Sequence, residues 1–218
     1  MTAQWKKRGF GVGDALNSRV GMRLVPGQGA VQLNRSGART ARAGNPSFDW
    51  GATGGNGHLL VDAPSVKALV GRAAGNFWAL GALSVENPAS SNGWMSLVAV
   101  ARDGKALEQS SSLVVGALNR AENAEMAWNA DRTSVGDGWG NGPTLIETPA
   151  ATLDLQTSAT RARVWKLDGT GKRLVPIAST LQKGHLRFSI SPDDGTPWYE
   201  VALMSPTIGD AKKGTASP

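Results

Sequence analysis

The sequence predicts an all-β protein, a mostly antiparallel β-sandwich of jelly-roll type, and three observations carry that expectation. Apolar and polar residues alternate through most of the apolar runs, because successive side chains of a strand face opposite sides of a sheet. Turn signals recur about every 10 to 15 residues, the spacing of short strands in a sandwich. The 28 Gly and 11 Pro break those runs too often for helices of ordinary length, while Val, Thr, Leu and Trp fill them.

The elements follow in order. Residues 1–18 read as a lead-in segment, 19–208 as the sandwich module and 209–218, small, polar and charged, as a flexible tail. "RVGMRLV" (19–25) sets Val20, Met22 and Leu24 against Arg19 and Arg23, the alternation of a half-buried strand. "GATGGNG" (51–57) reads as a hairpin loop, since no Lys-Ser/Thr follows its glycines to make a phosphate cradle. "HLLVDAPSVKALVG" gives two strands broken at Pro64, which cannot donate to a ladder. "NFWALGALSVEN" and "GWMSLVAVA" are separated by the loop "ENPASSNG", and Asp103-Gly104 turns the chain towards "SSLVVGALN". Further strands are expected in "TLIETPAATLDLQ", "RARVWKLDGTGKRLVPI" with its Asp168-Gly169 turn, "HLRFSIS" and "PWYEVALM". One or two helical turns fit only "GDALNSRVGM" and "RAENAEMAW".

Composition excludes several classes. No apolar run approaches the roughly 20 residues of a membrane helix. Without cysteine there is no disulfide framework, thiolate nucleophile or cysteine metal site. The excess of 23 Lys+Arg over 17 Asp+Glu gives a net charge of +6. Outside "WKKR" and "RSGARTAR", however, the cations are scattered among apolar residues as solvent-facing strand positions, which is a poor footprint for nucleic acid. "MTAQWKKRGFGVG" lacks the continuous apolar core of a secretory signal. No G-x-S-x-G elbow occurs, and two histidines far apart in sequence are too few for a zinc site.

Three strings carry a resemblance: "FDWGATGGNGHLLVDAPSVKALVGRA", "RAENAEMAWNADRTSVGDGWGNGPTLIETPAATLDL" and "VWKLDGTGKRL…LRFSISPDDGTPWYEVAL". Together they resemble the carboxyl-terminal, non-catalytic β-sandwich region that follows the barrel in large bacterial cellulase-like glycoside hydrolases, and "SRVGMRL" resembles the strand leading out of that barrel. The resemblance implies a carbohydrate-binding-module-like accessory module, acting as scaffold, glycan binder or both. It also implies a catalytic glycoside hydrolase domain in cis, a polysaccharide or oligosaccharide partner, and a secreted or cell-surface bacterial setting. The barrel is missing here, so no catalytic residue carries over.

The residues themselves point to sugars through tryptophan, with eight Trp against four Phe and one Tyr. An exposed indole stacks on the C–H face of a pyranose and releases water, while neighbouring polar side chains take the hydroxyls. The same stacking holds single-stranded nucleic acid, and sequence does not separate the two. Trp165 and Trp198 lie inside alternating strands and read as packed residues. Trp50, Trp78, Trp94, Trp128 and Trp139 stand at strand ends or in the long 120–143 segment, so they are the candidates for stacking, with Asn92, Asp137 and Asn141 as hydroxyl partners.

Glu122 and Glu125, three apart, would share a face of a helix and supply an acid for glycoside hydrolysis. The competing reading pairs Glu122 with Arg120 or Arg132, and lets Asn123 and Asn129 bond loop backbone. It makes the 120–143 segment a shaped loop. Sugar-binding sandwiches often hold a structural calcium, for which Asp131, Asp137, Asp193 and Asp194 are candidates; none reproduces D-x-[DN]-x-[DN]-G. Neither a cofactor nor a metal ligand set is expected.

Overall fold

The computed structural model describes residues 48–53 and 56–204. The lead-in, the strand expected at 19–25, the helical turn expected in "GDALNSRVGM", both basic clusters and the 209–218 tail lie outside the described residues.

The described chain is all-β and antiparallel, with two isolated 3-10 turns (Leu107–Gln109 and Pro192–Asp194) and no α-helix. One eight-stranded sheet runs, in spatial order, β1 (Phe48–Thr53), β2 (Asn56–Ala63), β3 (Val66–Arg72), β6 (Trp94–Ala101), β7 (Ser112–Leu118), β15 (Trp198–Met204), β11 (Arg161–Leu167) and β12 (Arg173–Ile177). A five-stranded sheet packs against it: β13 (Ser179–Gln182), β14 (His185–Ile190), β10 (Ala150–Gln156), β5 (Leu83–Ala89) and β4 (Trp78–Leu80). The remaining pair, β8 (Ala121–Ala124) and β9 (Asn141–Ile146), forms a separate hairpin. No helix among the described residues is long and apolar enough to cross a membrane.

The interior is built by the period of two. Leu69 of β3, Met95, Leu97 and Ala99 of β6, Leu113 and Val115 of β7, and Tyr199, Val201 and Leu203 of β15 are buried from the large sheet. Leu83 and Val85 of β5, Leu153 and Leu155 of β10, and Leu186, Phe188 and Ile190 of β14 meet them from the small one. Each of these residues is followed by one on the opposite face, so a one-residue slip in any central strand would turn its core row to solvent.

Several boundaries differ from the sequence reading for identifiable reasons. "ENPASSNG" is mostly strand: β5 continues through Pro88 across a bulge against β10, with Asn87 at φ 49°, and only residues 90–93 are loop. A bulge is where a strand tolerates a proline. "TLIETPAATLDLQ" divides into β9 and β10, which belong to different sheets. "RAENAEMAW" is β8 and a turn, so Glu122 and Glu125 share no helix face. The cations are not all solvent-facing either. Lys67 points inward at the rim of the sandwich, buried and paired with Asp62, and Lys166 reaches Asp194 at 2.8 Å.

Asp103 organises the connection from β6 to β7. Its carboxylate accepts from the backbone N–H of Ser111 at 3.0 Å, from the hydroxyls of Ser110 and Ser111, and from the N–H of Lys105. The Ser111 N–H, with the other donors, outweighs partial desolvation and holds this carboxyl well below the ordinary aspartate range.

Two outcomes are expected. Leu153→Ala, which empties a fully buried site at the centre of β10, should cost about 2 to 5 kcal/mol in chemical denaturation; a loss well under 1 kcal/mol contradicts this packing. Asp103, with its folded pKa depressed, contributes stability that is present above its ordinary value of 3.8 and is lost as pH falls towards the folded value. Asp103→Asn should therefore flatten the acid limb of the stability–pH curve below pH 4, and an unchanged limb contradicts the assignment.

Candidate functional site

The 120–143 segment is a β-hairpin with a long, self-braced tip. β8 and β9 pair from Ala121↔Ile146 to Asn123↔Thr144, then shift register so that Ala124 meets Asn141. The Gly142–Pro143 peptide is cis, and Pro143 lies within β9, in a two-stranded ribbon where its missing N–H is tolerated.

Glu147 fixes the root of this hairpin. Its carboxylate accepts from the Ser91 N–H at 3.0 Å, the Ser91 hydroxyl at 2.8 Å and the Arg120 Nε at 2.6 Å, tying the hairpin to the loop between β5 and β6. Burial raises its pKa, but the donors from Ser91, Asn119 and Arg120 prevail and leave it below the ordinary glutamate value. Arg120 also reaches Glu122 at 3.3 Å, and Arg132 closes on Glu122 from the far side of the tip. Glu122 is thus a tether held by two guanidinium groups.

Inside the tip, asparagines do the bracing. Asn129 Oδ1 accepts from the N–H of Thr133 at 2.8 Å and of Ser134 at 3.2 Å, while its Nδ2 donates to the Thr133 hydroxyl at 2.9 Å. Asn123 Nδ2 donates to the Trp139 carbonyl at 3.0 Å, and Asn141 Nδ2 to Glu125 at 3.2 Å. Gly140, at φ 67°, passes so close to the opposite strand that a Cβ would lie 2.2 Å from the Ala124 carbonyl oxygen. No other residue fits there without moving the backbone.

Two of the candidate indoles are presented by this tip. Trp139 is 62 % exposed, and Trp128 is 36 % exposed with the Arg132 guanidinium 5.0 Å from its ring centre. Asp137 and Asn141 are exposed alongside. Trp94, 41 % exposed, opens β6 on the outer face of the large sheet, and Asn92 Oδ1 accepts from its backbone N–H at 2.9 Å. Asn92 therefore shapes the turn that delivers Trp94.

Trp78 is placed differently. Its ring is half-buried against the core and edge-on to His58, with centroids 5.0 Å apart, and its Nε1–H donates to the Ala73 carbonyl at 3.1 Å. One side of the ring is thus packed on the core, and the residue as a whole stays partly open. Trp50 lies opposite Leu59 in the β1–β2 ladder, and its side chain is outside the described residues.

The pair read as packed residues divides. Trp165 is half-buried beneath Arg173, whose guanidinium stands 5.4 Å from the ring centre. Trp198, by contrast, is 40 % exposed on the outer face of β15. The missed signal is in "SSLVVGALN": Gly116 interrupts an apolar central strand without a positive φ, the mark of a close approach by another group. Trp198 is that group, since a Cβ on Gly116 would meet its ring at 2.8 Å.

Among the described residues no three His, Asp or Glu side chains converge as a metal site. Asp194 accepts from the Ser191 N–H and the Tyr199 hydroxyl and pairs with Lys166, a wholly structural set of partners. Comparison of the chain with family models, curated proteins and solved structures returns no match.

The tip should depend on Asn129. Asn129→Ala removes its three side-chain bonds, so trypsin is expected to cut after Arg132 several-fold faster while the sandwich melts nearly as before. Unchanged cleavage would show that the asparagine does not hold the tip.

Proposed function

We propose that this chain is a non-catalytic carbohydrate-binding or accessory module of a polysaccharide-degrading enzyme, which holds glycan by stacking tryptophan on sugar rings. The observation that carries the reading is the exposure of Trp94, Trp128, Trp139 and Trp198, each more than a third open to solvent although tryptophan is highly buried on average. Asp137 and Asn141 lie within the same surface as Trp128 and Trp139 and offer hydroxyl partners. The resemblance to the accessory sandwiches of cellulase-like glycoside hydrolases supports the same reading, with a catalytic domain in cis and a secreted or cell-surface setting.

A second reading, a purely structural module that braces a catalytic barrel, is favoured by the outer face of the large sheet. There Val61, Ala68 and Val98 align across β2, β3 and β6, ending at Gly116 of β7, and Val98 is exposed. Such a face is unusual on a soluble surface unless it meets a partner. Enzymatic use of Glu122 or Glu125 is the weakest reading, because Glu122 is engaged by Arg120 and Arg132.

Affinity gel electrophoresis against β-glucan, xylan, mannan and galactan separates the first two. Retardation by at least one polymer is expected. Unaltered mobility in all four removes glycan binding and leaves the bracing module. Release of reducing sugar by the purified protein, lost in Glu122→Gln, would instead make it an enzyme.

A further inference from the structure

On the outer face of the large sheet, the turn between β11 and β12 and the end of β15 line an open cavity of about 470 Å³. We propose that this cavity, floored by Trp198, binds one neutral pyranose unit of a glycan, a site that rests on the carbohydrate-binding reading and gives it a location.

The floor is set by an absent side chain. Trp198 lies across Gly116 of the neighbouring strand, where a Cβ would stand 2.8 Å from Cζ3 and 3.2 Å from Cε3 of the indole, and Val98 borders the same spot. The indole is thereby laid against the sheet with part of its surface still open. Its backbone is fixed as well: the Trp198 N–H donates to the Thr196 hydroxyl at 3.1 Å, and that hydroxyl donates to the Leu167 carbonyl at 2.6 Å. The stacking surface and the turn above it consequently belong to one rigid unit.

The rim supplies hydroxyl partners at fixed positions. Asp168 Oδ1 accepts from the Thr170 N–H at 2.8 Å, the Thr170 hydroxyl at 2.7 Å and the Lys172 N–H at 2.9 Å, which locks the turn. Glu200, at the cavity wall, is gripped by Arg173 through bonds of 2.6 and 2.9 Å and lies 3.6 Å from Arg102. The charged groups of the lining are already engaged, Asp168 within its own turn and Glu200 with Arg173 and Arg102, so none is set aside for a uronate or an amino sugar. Apolar floor, polar rim and engaged charges match a neutral sugar ring, which has a C–H face and a hydroxyl edge. The volume falls within the roughly 300 to 1,000 Å³ usual for small-ligand sites.

The test compares the intact protein with Trp198→Ala, Trp198→Phe and Arg102→Ala on whichever of β-glucan, xylan, mannan or galactan retards it. Denaturation midpoints monitor folding. Trp198→Ala should weaken binding on the order of ten-fold or more, and Trp198→Phe, which keeps a ring over Gly116, should restore most of it. Arg102 is at the exposed rim, so Arg102→Ala should weaken binding a few-fold in a normally folded protein. Full binding in both Trp198→Ala and Arg102→Ala overturns the site; if Trp139→Ala then abolishes binding, the glycan reading stands with its surface on the hairpin. No retardation of the intact protein overturns both.

Discussion

The structure depends on the closure of two apolar faces over one another. The inward rows of β3, β6, β7, β15 and β11 and those of β5, β10 and β14 bury most of the large aliphatic side chains of the central strands. Because the side-chain period is two, this closure dictates which residues are left outside. Met95 and Leu97 face inward, so Trp94 and Val98 face outward. Tyr199 and Val201 face inward, so Trp198 and Glu200 face outward. The surface chemistry is fixed by the core.

Two kinds of surface result. The outer face of the large sheet is rigid, because each residue on it alternates with a buried one, and there Gly116 lets the Trp198 indole lie against the strands. The hairpin tip has no core of its own. It is held by the carboxylates of Glu122 and Glu147 and the amides of Asn123, Asn129 and Asn141, polar groups that also compete for water. Both surfaces carry exposed indoles, Trp94 and Trp198 on the sheet and Trp128 and Trp139 on the hairpin.

Much of this was legible in the sequence. Alternation in "HLRFSIS" and the bounded apolar runs of "SVKALVG" and "GWMSLVAVA" gave β14, β3 and β6 nearly to the residue, and Pro64 marked the β2–β3 turn. The asparagine- and glutamate-held loop at 120–143 was also readable, from short polar side chains between glycines. Harder to read were β8 and β9, where β9 has all six residues exposed and no periodicity. Lys67 escaped because burial of a lysine requires a partner, and Asp62 becomes that partner only across the β2–β3 ladder. Trp198 escaped for a related reason: alternation says that an aromatic in a strand takes one of two faces, and only the neighbouring Gly116 says which face is open to it.

The most direct measurement is a titration of the protein with a soluble oligosaccharide of the retarding polymer, following the eight indole N–H resonances assigned by single Trp→Phe substitutions. The account predicts that Trp198 and at least one of Trp94, Trp128 and Trp139 shift with a common saturating curve, while Trp78, hydrogen-bonded to Ala73, stays in place. If all of these indoles stay fixed while the sugar binds, or if only Trp78 moves, stacking on exposed tryptophan is not how this protein holds its ligand.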